Sequence, residues 1–151
     1  MSRVWIYQAN RFLTNTEVIE INDLAQQFVS SWTAHGSALA GKAVVLENLF
    51  LILEVDEEIA GVTGCSIDKS VHFIKGLGDK FNVDFFDRMR VAYINADGKL
   101  QLASREQFQQ SVKEGGVTSD TIVYNNLIQN SEDLSSNWKI PFSNSWHSKV
   151  F

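Results

Sequence analysis

The run Ala43 to Val55 most restricts what this chain can fold into. It is largely apolar, and Leu49, Leu51, Leu53 and Val55 share one face at the period of two that marks a strand. Just before it stands Gly36-Ser37-Ala38-Leu39-Ala40-Gly41-Lys42-Ala43, a P-loop pattern with Ala in place of Ser or Thr. Just after it come Asp56-Glu57, positioned like the acidic end of a magnesium-holding strand. Only about one strand separates Lys42 from that pair, whereas a parallel strand pair needs a crossover of about a dozen residues or more. No helix fits between them. The expected arrangement is a helix–loop–strand connection followed by a hairpin turn at Asp56-Glu57-Glu58.

The same order argues against nucleotide binding. A P-loop works because a strand feeds a glycine loop that opens into a helix, whose N-terminal N–H groups surround the phosphates. Here the segment before Gly36 reads as a helix and the segment after Lys42 as a strand. Gly36 reads as a helix C-cap. Ala43 lacks the hydroxyl that would ligate Mg²⁺.

With 151 residues the chain is expected to form a single domain, 1–151, with a substantial core. Ten Phe, four Trp and three Tyr imply a bulky core or a ligand cleft. The net charge of −5 and the lack of a basic run disfavour nucleic acid and anionic membranes as partners. A single cysteine excludes an intrachain disulfide. Met1-Ser2-Arg3-Val4-Trp5 shows no cationic leader before a long apolar stretch, so no signal peptide is expected. The longest apolar run, around Leu49 to Leu53, is too short for membrane insertion. A soluble, cytoplasmic protein is expected.

Along the chain, strand and helix patterns alternate. Arg3 to Ala9 reads as a strand, and Thr14-Asn15-Thr16-Glu17 as a capping box. The helix that follows aligns Ile21, Leu24, Ala25, Phe28, Val29 and Trp32. Ala43 to Val55 is strand-like with a break at Glu47-Asn48, and Ile59 to Cys65 is its expected hairpin partner. Ser66 or Asp68 caps a second helix with Ile67, Val71, Ile74, Leu77 and Phe81 inward, although Gly76 and Gly78 weaken its second half. Arg90 to Ile94 and Leu100 to Leu102 flank a tight turn at Asp97-Gly98. Ser104-Arg105-Glu106-Gln107 is a second capping box, with Ala103 and Phe108 as its staple, and that helix ends at Gly115-Gly116. Thr121 to Tyr124 reads as a last strand. From about residue 126 the chain reads as an irregular tail that packs on the domain, with Trp138 and Trp146 as anchors. The order predicts an α+β fold with a mixed or antiparallel sheet. It is a ferredoxin-like βαββαβ order extended by a hairpin, helix and strand, with helices on one face.

Few residues could carry chemistry. Cys65 lies between a predicted strand and a helix N-terminus, where free N–H groups and the helix dipole favour a thiolate. It is the candidate nucleophile, with His35 as candidate base; a small buried packing cysteine is the alternative. The same turn could bind an anion or small ligand through Gly64, Ser66 and Asp68, with Trp146 as a neighbour. His35, His72, His147, Cys65 and the acidic turn lack zinc-type spacing, so no metal and no cofactor are expected. Arg11, Arg88 and Arg90 at strand ends could hold a carboxylate or phosphate. They read more simply as partners of Asp84 or Asp87.

Five strings, taken together, resemble an uncharacterised family of small bacterial proteins that often carry the label "ABC transporter ATPase". They are Trp5-Ile6-Tyr7-Gln8-Ala9-Asn10-Arg11, Trp32-Thr33-Ala34-His35-Gly36, Val55-Asp56-Glu57, Gly64-Cys65-Ser66-Ile67-Asp68 and Ser145-Trp146-His147. The resemblance covers the whole chain. The label implies ATP binding. This chain has neither the Walker A Ser/Thr nor the transporter signature Leu-Ser-Gly-Gly, so the resemblance supplies no mechanism.

The leading expectation is a non-enzymatic module that binds a small ligand or a protein partner near Gly64 to Asp68. The alternative is a thiol-dependent enzyme using Cys65. A homo-oligomer is compatible with either.

Overall fold

Glu47 and Asn48 both adopt left-handed backbone (φ 55° at each) and turn the apolar run back on itself. The hairpin therefore closes inside the run rather than after it. The computed structural model describes residues 2–34, 36–58 and 60–151. The chain is α+β with antiparallel sheets. Its contacts group into two compact units: Met1–Asp87 with Gln129–Glu132, and Arg88–Ile128 with Asp133–Phe151.

The first unit runs β1 (Ser2–Gln8), α1 (Asn15–Ser31), β2 (Thr33–Ala34), β3 (Ser37–Ala38), β4 (Ala40–Leu46), β5 (Phe50–Asp56) and α2 (Gly64–Phe81). Its main sheet has the order β1-β5-β4. Leu53 of the central strand faces Trp5 on one side and Ala43 on the other. Phe50, Leu51, Ile52, Leu53 and Val55 are all buried, which accounts for the nearly unbroken apolar run.

Helix α1 starts at the expected capping box: Thr14 Oγ1 accepts from Glu17 N–H at 3.1 Å, and Glu17 Oε1 accepts from Thr14 N–H at 2.9 Å. Ile21, Ala25 and Val29 face inward. The half-buried Asn22 and the exposed Gln26 on the same helix serve the outer edge of β4. Val45 N–H donates to Asn22 Oδ1 and Gln26 Nε2 donates to the Ala43 carbonyl, each at 2.9 Å. An open strand edge invites pairing with another chain, and this helix covers it.

Three expectations are corrected here. Gly36 is not a helix C-cap: α1 ends at Ser31, and Gly36 (φ 78°) sits in the β2–β3 turn, where its lack of a side chain permits positive φ. Residues 60–63 are not a strand, and Gly64 and Cys65 already belong to α2, because β5 finds both its partners in β1 and β4. The buried stripe of α2 is Ser66, Ser70, Ile74 and Leu77 rather than Ile67 and Val71. Small residues are needed where the helix meets Trp32 and Tyr7; the Trp32 indole N–H donates to the Ser66 carbonyl at 2.8 Å. Helix α2 runs through Gly76 and Gly78. At Gly78 a Cβ would lie 2.6 Å from the Val83 carbonyl oxygen, so that close approach requires glycine.

The ferredoxin-like order holds for β1, α1, β4, β5 and α2 and then stops, because Arg90–Ile94 enters a different sheet. The edge of β1 that a fourth strand would take is met by the returning chain. Val4 N–H donates to the Gln129 carbonyl at 2.9 Å, and Arg3 forms an antiparallel bridge with Asn130. The Arg90–Ile94 segment pairs locally instead, across a turn in which Asn95 Oδ1 accepts from the N–H groups of Asp97 and Lys99. Closing so short a loop costs little chain entropy.

The second unit contains β6 (Arg90–Ile94), β7 (Leu100–Ser104), α3 (Arg105–Glu114), β8 (Ile122–Tyr124), α4 (Ser131–Ser136, of which the first two residues group with the other unit), β9 (Lys139–Pro141), a 3₁₀ turn (Phe142–Asn144) and α5 (His147–Val150). Its sheet has the order β7-β6-β8-β9. Phe108 is fully buried at the centre, edge-on to Tyr93 and Phe151 at 5.3 and 4.9 Å between ring centroids. The Ser104–Gln107 capping box is present, and Ala103 and Phe108 meet in the same core cluster. The irregular tail is a further correction: residues 131–150 carry two short helices and strand β9. Trp138 anchors them, buried at 4% exposure and edge-on to Tyr124 at 5.2 Å. Single apolar residues were too sparse to signal these short elements, which form because β8 offers them a pairing edge.

Candidate functional site

The P-loop-like string has no phosphate-binding geometry. Its residues form the β2–β3 turn and β4, and no helix follows Lys42, which lies in mid-strand opposite Glu54. Gly41 is explained by packing: a Cβ there would lie 3.1 Å from the Trp32 ring. The acidic turn is also locally engaged. Asp56 Oδ1 accepts from Glu58 N–H at 3.0 Å, and Glu57 lies 3.8 Å from Arg3.

Gly64, Cys65 and Ser66 lie on the first turn of α2, and Asp68 begins the next. The cap of that helix is Thr63. Thr63 Oγ1 accepts from Ser66 N–H at 3.1 Å, and Ser66 Oγ accepts from Thr63 N–H at 2.8 Å while donating to the Thr63 carbonyl at 2.9 Å. The Ser66 side chain is thus fully buried and fully used. Gly64, Cys65 and Asp68 are exposed. His35, the candidate base, lies outside the described residues. Trp146 belongs to the other unit. Among the described residues no group of three or more His, Cys, Asp or Glu is arranged to hold a metal ion, and no helix is long and apolar enough to cross a membrane.

Arg11 is a structural clamp, and its partner differs from the expected Asp84 or Asp87. Its two terminal nitrogens donate to both carboxylate oxygens of Glu17 at 2.9 and 2.8 Å, and Nη2 also donates to the Phe81 carbonyl at 2.7 Å. It joins the start of α1 to the end of α2, where a cation suits the free carbonyls. The Arg11 guanidinium holds the Glu17 carboxyl down at about 2. A cleft of about 630 Å³ lies beside the end of α2, between Lys75, Asp79 and Phe86. Two of its polar side chains are spent on the fold: Asn10 Oδ1 accepts from Asp84 N–H and Asp84 Oδ1 from Phe86 N–H, at 2.9 and 2.8 Å.

A smaller cleft, about 360 Å³, lies wholly within the second unit. Its wall is the segment after β8 (Asn125, Leu127, Ile128), Asp133 on α4, Asn137 just after that helix, and Ile140, Asn144 and Trp146. The Trp146 ring stacks on His147 at 3.8 Å between centroids, with planes 23° apart. His147 is held in turn: Ser145 Oγ lies 2.6 Å from its Nδ1, and the ring is 2% exposed. Burial, with the nearby Arg105 charge adding, lowers the His147 pKa to about 4, so the imidazole is neutral at pH 7. The hydroxyl and the imidazole are both buried, so this Ser–His pair supports Trp146 and is not reachable by a substrate.

Trp146 differs from the other buried indoles. Trp32 donates to Ser66 and Trp138 donates to Asn126 Oδ1 at 2.9 Å. The Trp146 Nε1 is buried and has no acceptor among the described residues. The sequence names Trp146 as a neighbour of the Gly64–Asp68 turn, which belongs to the other unit, and nothing local to Ser145-Trp146-His147 tells which indole is left without a protein acceptor. Comparison with protein-family models, with curated proteins and with solved structures finds no match to this chain.

Proposed function

We propose that this protein is a non-enzymatic small-ligand-binding module and that its binding site is the cleft walled by Trp146. The observation that carries this reading is the cleft itself, in which Trp146 stands with Leu127, Ile128 and Ile140 beside the polar side chains of Asp133 and Asn144; mainly apolar walls with a few polar groups are usual for small-molecule sites. The volume, about 360 Å³, lies in the range of roughly 300–1,000 Å³ usual for small-molecule sites. A cytoplasmic setting goes with this reading, since the lone exposed Cys65 suits a reducing compartment.

The test is a thermal-shift screen of a small-molecule library against the wild type and Trp146→Phe. Compounds that stabilise only the wild type support the reading. A library whose every hit persists in the variant sinks it.

One observation favours a second reading, a thiol-dependent reaction: Cys65 is exposed on the first turn of α2. Iodoacetamide at pH 7 decides it. A native thiol that reacts faster than the unfolded chain supports a nucleophile, and an equal or slower rate removes it.

A further inference from the structure

We propose that Ser145–Phe151 is an acid-released latch, a segment held down by side chains alone around a buried imidazole and freed when that ring takes a proton. The backbone shows how lightly it is tied. The last main-chain bonds to the rest of the unit are made by Phe142 N–H, to the Thr121 carbonyl at 2.7 Å, and by Ser143 N–H, to the Ser119 carbonyl at 3.1 Å. Beyond them, among the described residues, every main-chain bond stays inside the segment or returns to Phe142. Ser145 N–H donates to the Phe142 carbonyl, Ser148 to Ser145, Lys149 to Trp146 and Phe151 to His147. A turn and a four-residue helix have too few bonds to persist without support. Two rings supply it. Phe151 meets Phe108 edge-on at 4.9 Å between centroids, and His147 lies 6.1 Å from the same ring.

His147 is the anchor that can change. Its ring is 2% exposed, stacked on Trp146, and its Nδ1 lies 2.6 Å from Ser145 Oγ. That hydroxyl can accept from a protonated Nδ1 as readily as it donates to a neutral one, so the bond survives protonation. What opposes the charge is lost hydration and then Arg105, whose guanidinium sits over the Phe151 ring 5.0 Å from its centroid. Among the described residues Arg105 is the one charge that acts on the imidazole. The 3₁₀ turn Phe142–Asn144 brings no titratable group. On α3 the Glu106, Lys113 and Glu114 side chains are exposed, and so is Lys149 on α5 itself. Opening the segment returns the imidazolium to water and separates it from Arg105. Trp146 leaves with it, so the cleft loses that wall and acid empties it. This last consequence rests on the ligand reading above; the latch does not.

The experiment is amide hydrogen exchange on the full chain, read by NMR at about pH 7 and about pH 5 and corrected for the intrinsic rate at each. With a closed value of about 4 and the ordinary 6.5 for the released ring, the opening constant should rise about twentyfold between the two. Protection at Ser148, Lys149 and Phe151 should fall by that factor, while the Tyr93 and Val123 amides in β6 and β8 keep theirs. In His147→Asn, with circular dichroism showing the variant folded, protection of the segment should be the same at both. Wild-type protection of the segment that does not change with pH overturns the latch. So does a loss shared equally by Tyr93 and Val123, which is unfolding of the whole unit. A fall that persists in His147→Asn assigns the trigger to another group and overturns it as well. No ligand enters these readings, so a failed latch leaves the cleft standing and a failed ligand screen leaves the latch standing.

Discussion

The start of α2 and the Trp146 cleft hold similar chemistry and treat it in opposite ways. At the start of α2 the polar groups of Thr63 and Ser66 close on each other, and the Ser66 carbonyl takes the Trp32 indole proton. In the Trp146 ring an indole N–H is buried with no acceptor among the described residues. The first is a cap and a packing joint, although its sequence suggests a site. The second has the less suggestive sequence and the less satisfied chemistry. A satisfied buried polar group reports on the fold; one without a protein acceptor calls for an explanation of its own.

The comparison can be broken most forcefully at Trp32. Trp32→Ala removes a ring 2% exposed that packs on Phe28, Trp5 and Gly41, and should cost about 3–5 kcal/mol in denaturant unfolding. A loss below about 1 kcal/mol would mean that this joint is not structural.

His147, which supports the Trp146 ring, sharpens the other side through pH. Its folded pKa of about 4 lies below the ordinary 6.5, so between these values the unfolded chain binds a proton that the folded chain does not. The stability it protects is present above about pH 6.5 and is lost as pH falls towards 4, by roughly 2–3 kcal/mol. His147→Asn should flatten that slope, and an unchanged slope in urea titrations across the window would contradict the assignment.

The three indoles offer a direct contrast. Trp146→Phe gives up an unpaired donor, whereas Trp138→Phe gives up a bond to Asn126. The first should be the milder change by about 1–3 kcal/mol. Equal losses would mean that the Trp146 donor is paired in solution. Gly41→Ala tests whether that glycine serves the Trp32 ring. Pushing a Cβ to 3.1 Å should cost about 1–3 kcal/mol, with the same thermal response to Mg-ATP, or lack of one, as the wild type.

The smallest effect belongs to Glu17. Its carboxyl is held at about 2, below the ordinary 4.5, so its contribution is present above about pH 4.5 and disappears as pH falls through 2. The Arg11 side chain is 39% exposed, so Glu17→Gln should cost less than about 1 kcal/mol at pH 7 and nothing measurable at pH 2.

Much of the local structure was legible. Thr14 with Glu17 and Ser104 with Gln107 form the capping boxes that their spacing predicts, since such bonds reach only three residues along the chain. Asp97-Gly98 turns with its glycine at positive φ, and the break expected at Glu47-Asn48 is the hairpin turn that was expected at Asp56-Glu57-Glu58. The stretch before α2 misled, because glycines among apolar residues fit a weak strand as well as the approach to a capped helix. The C-terminal segment misled because elements of three to six residues have no period to read. The cleft was named through Trp146 alone.

The capping boxes of α1 and α3, the Asp97-Gly98 turn and the strands on either side of Glu47-Asn48 rest on residues within a few positions of one another, so the sequence by itself determined them. Three things were decided only in three dimensions: which sheet Arg90–Ile94 joins, what meets the free edge of β1, and which indole is left without an acceptor. Each is a competition among distant groups for a limited number of partners. Its outcome depends on what else is buried nearby, which no window along the chain contains.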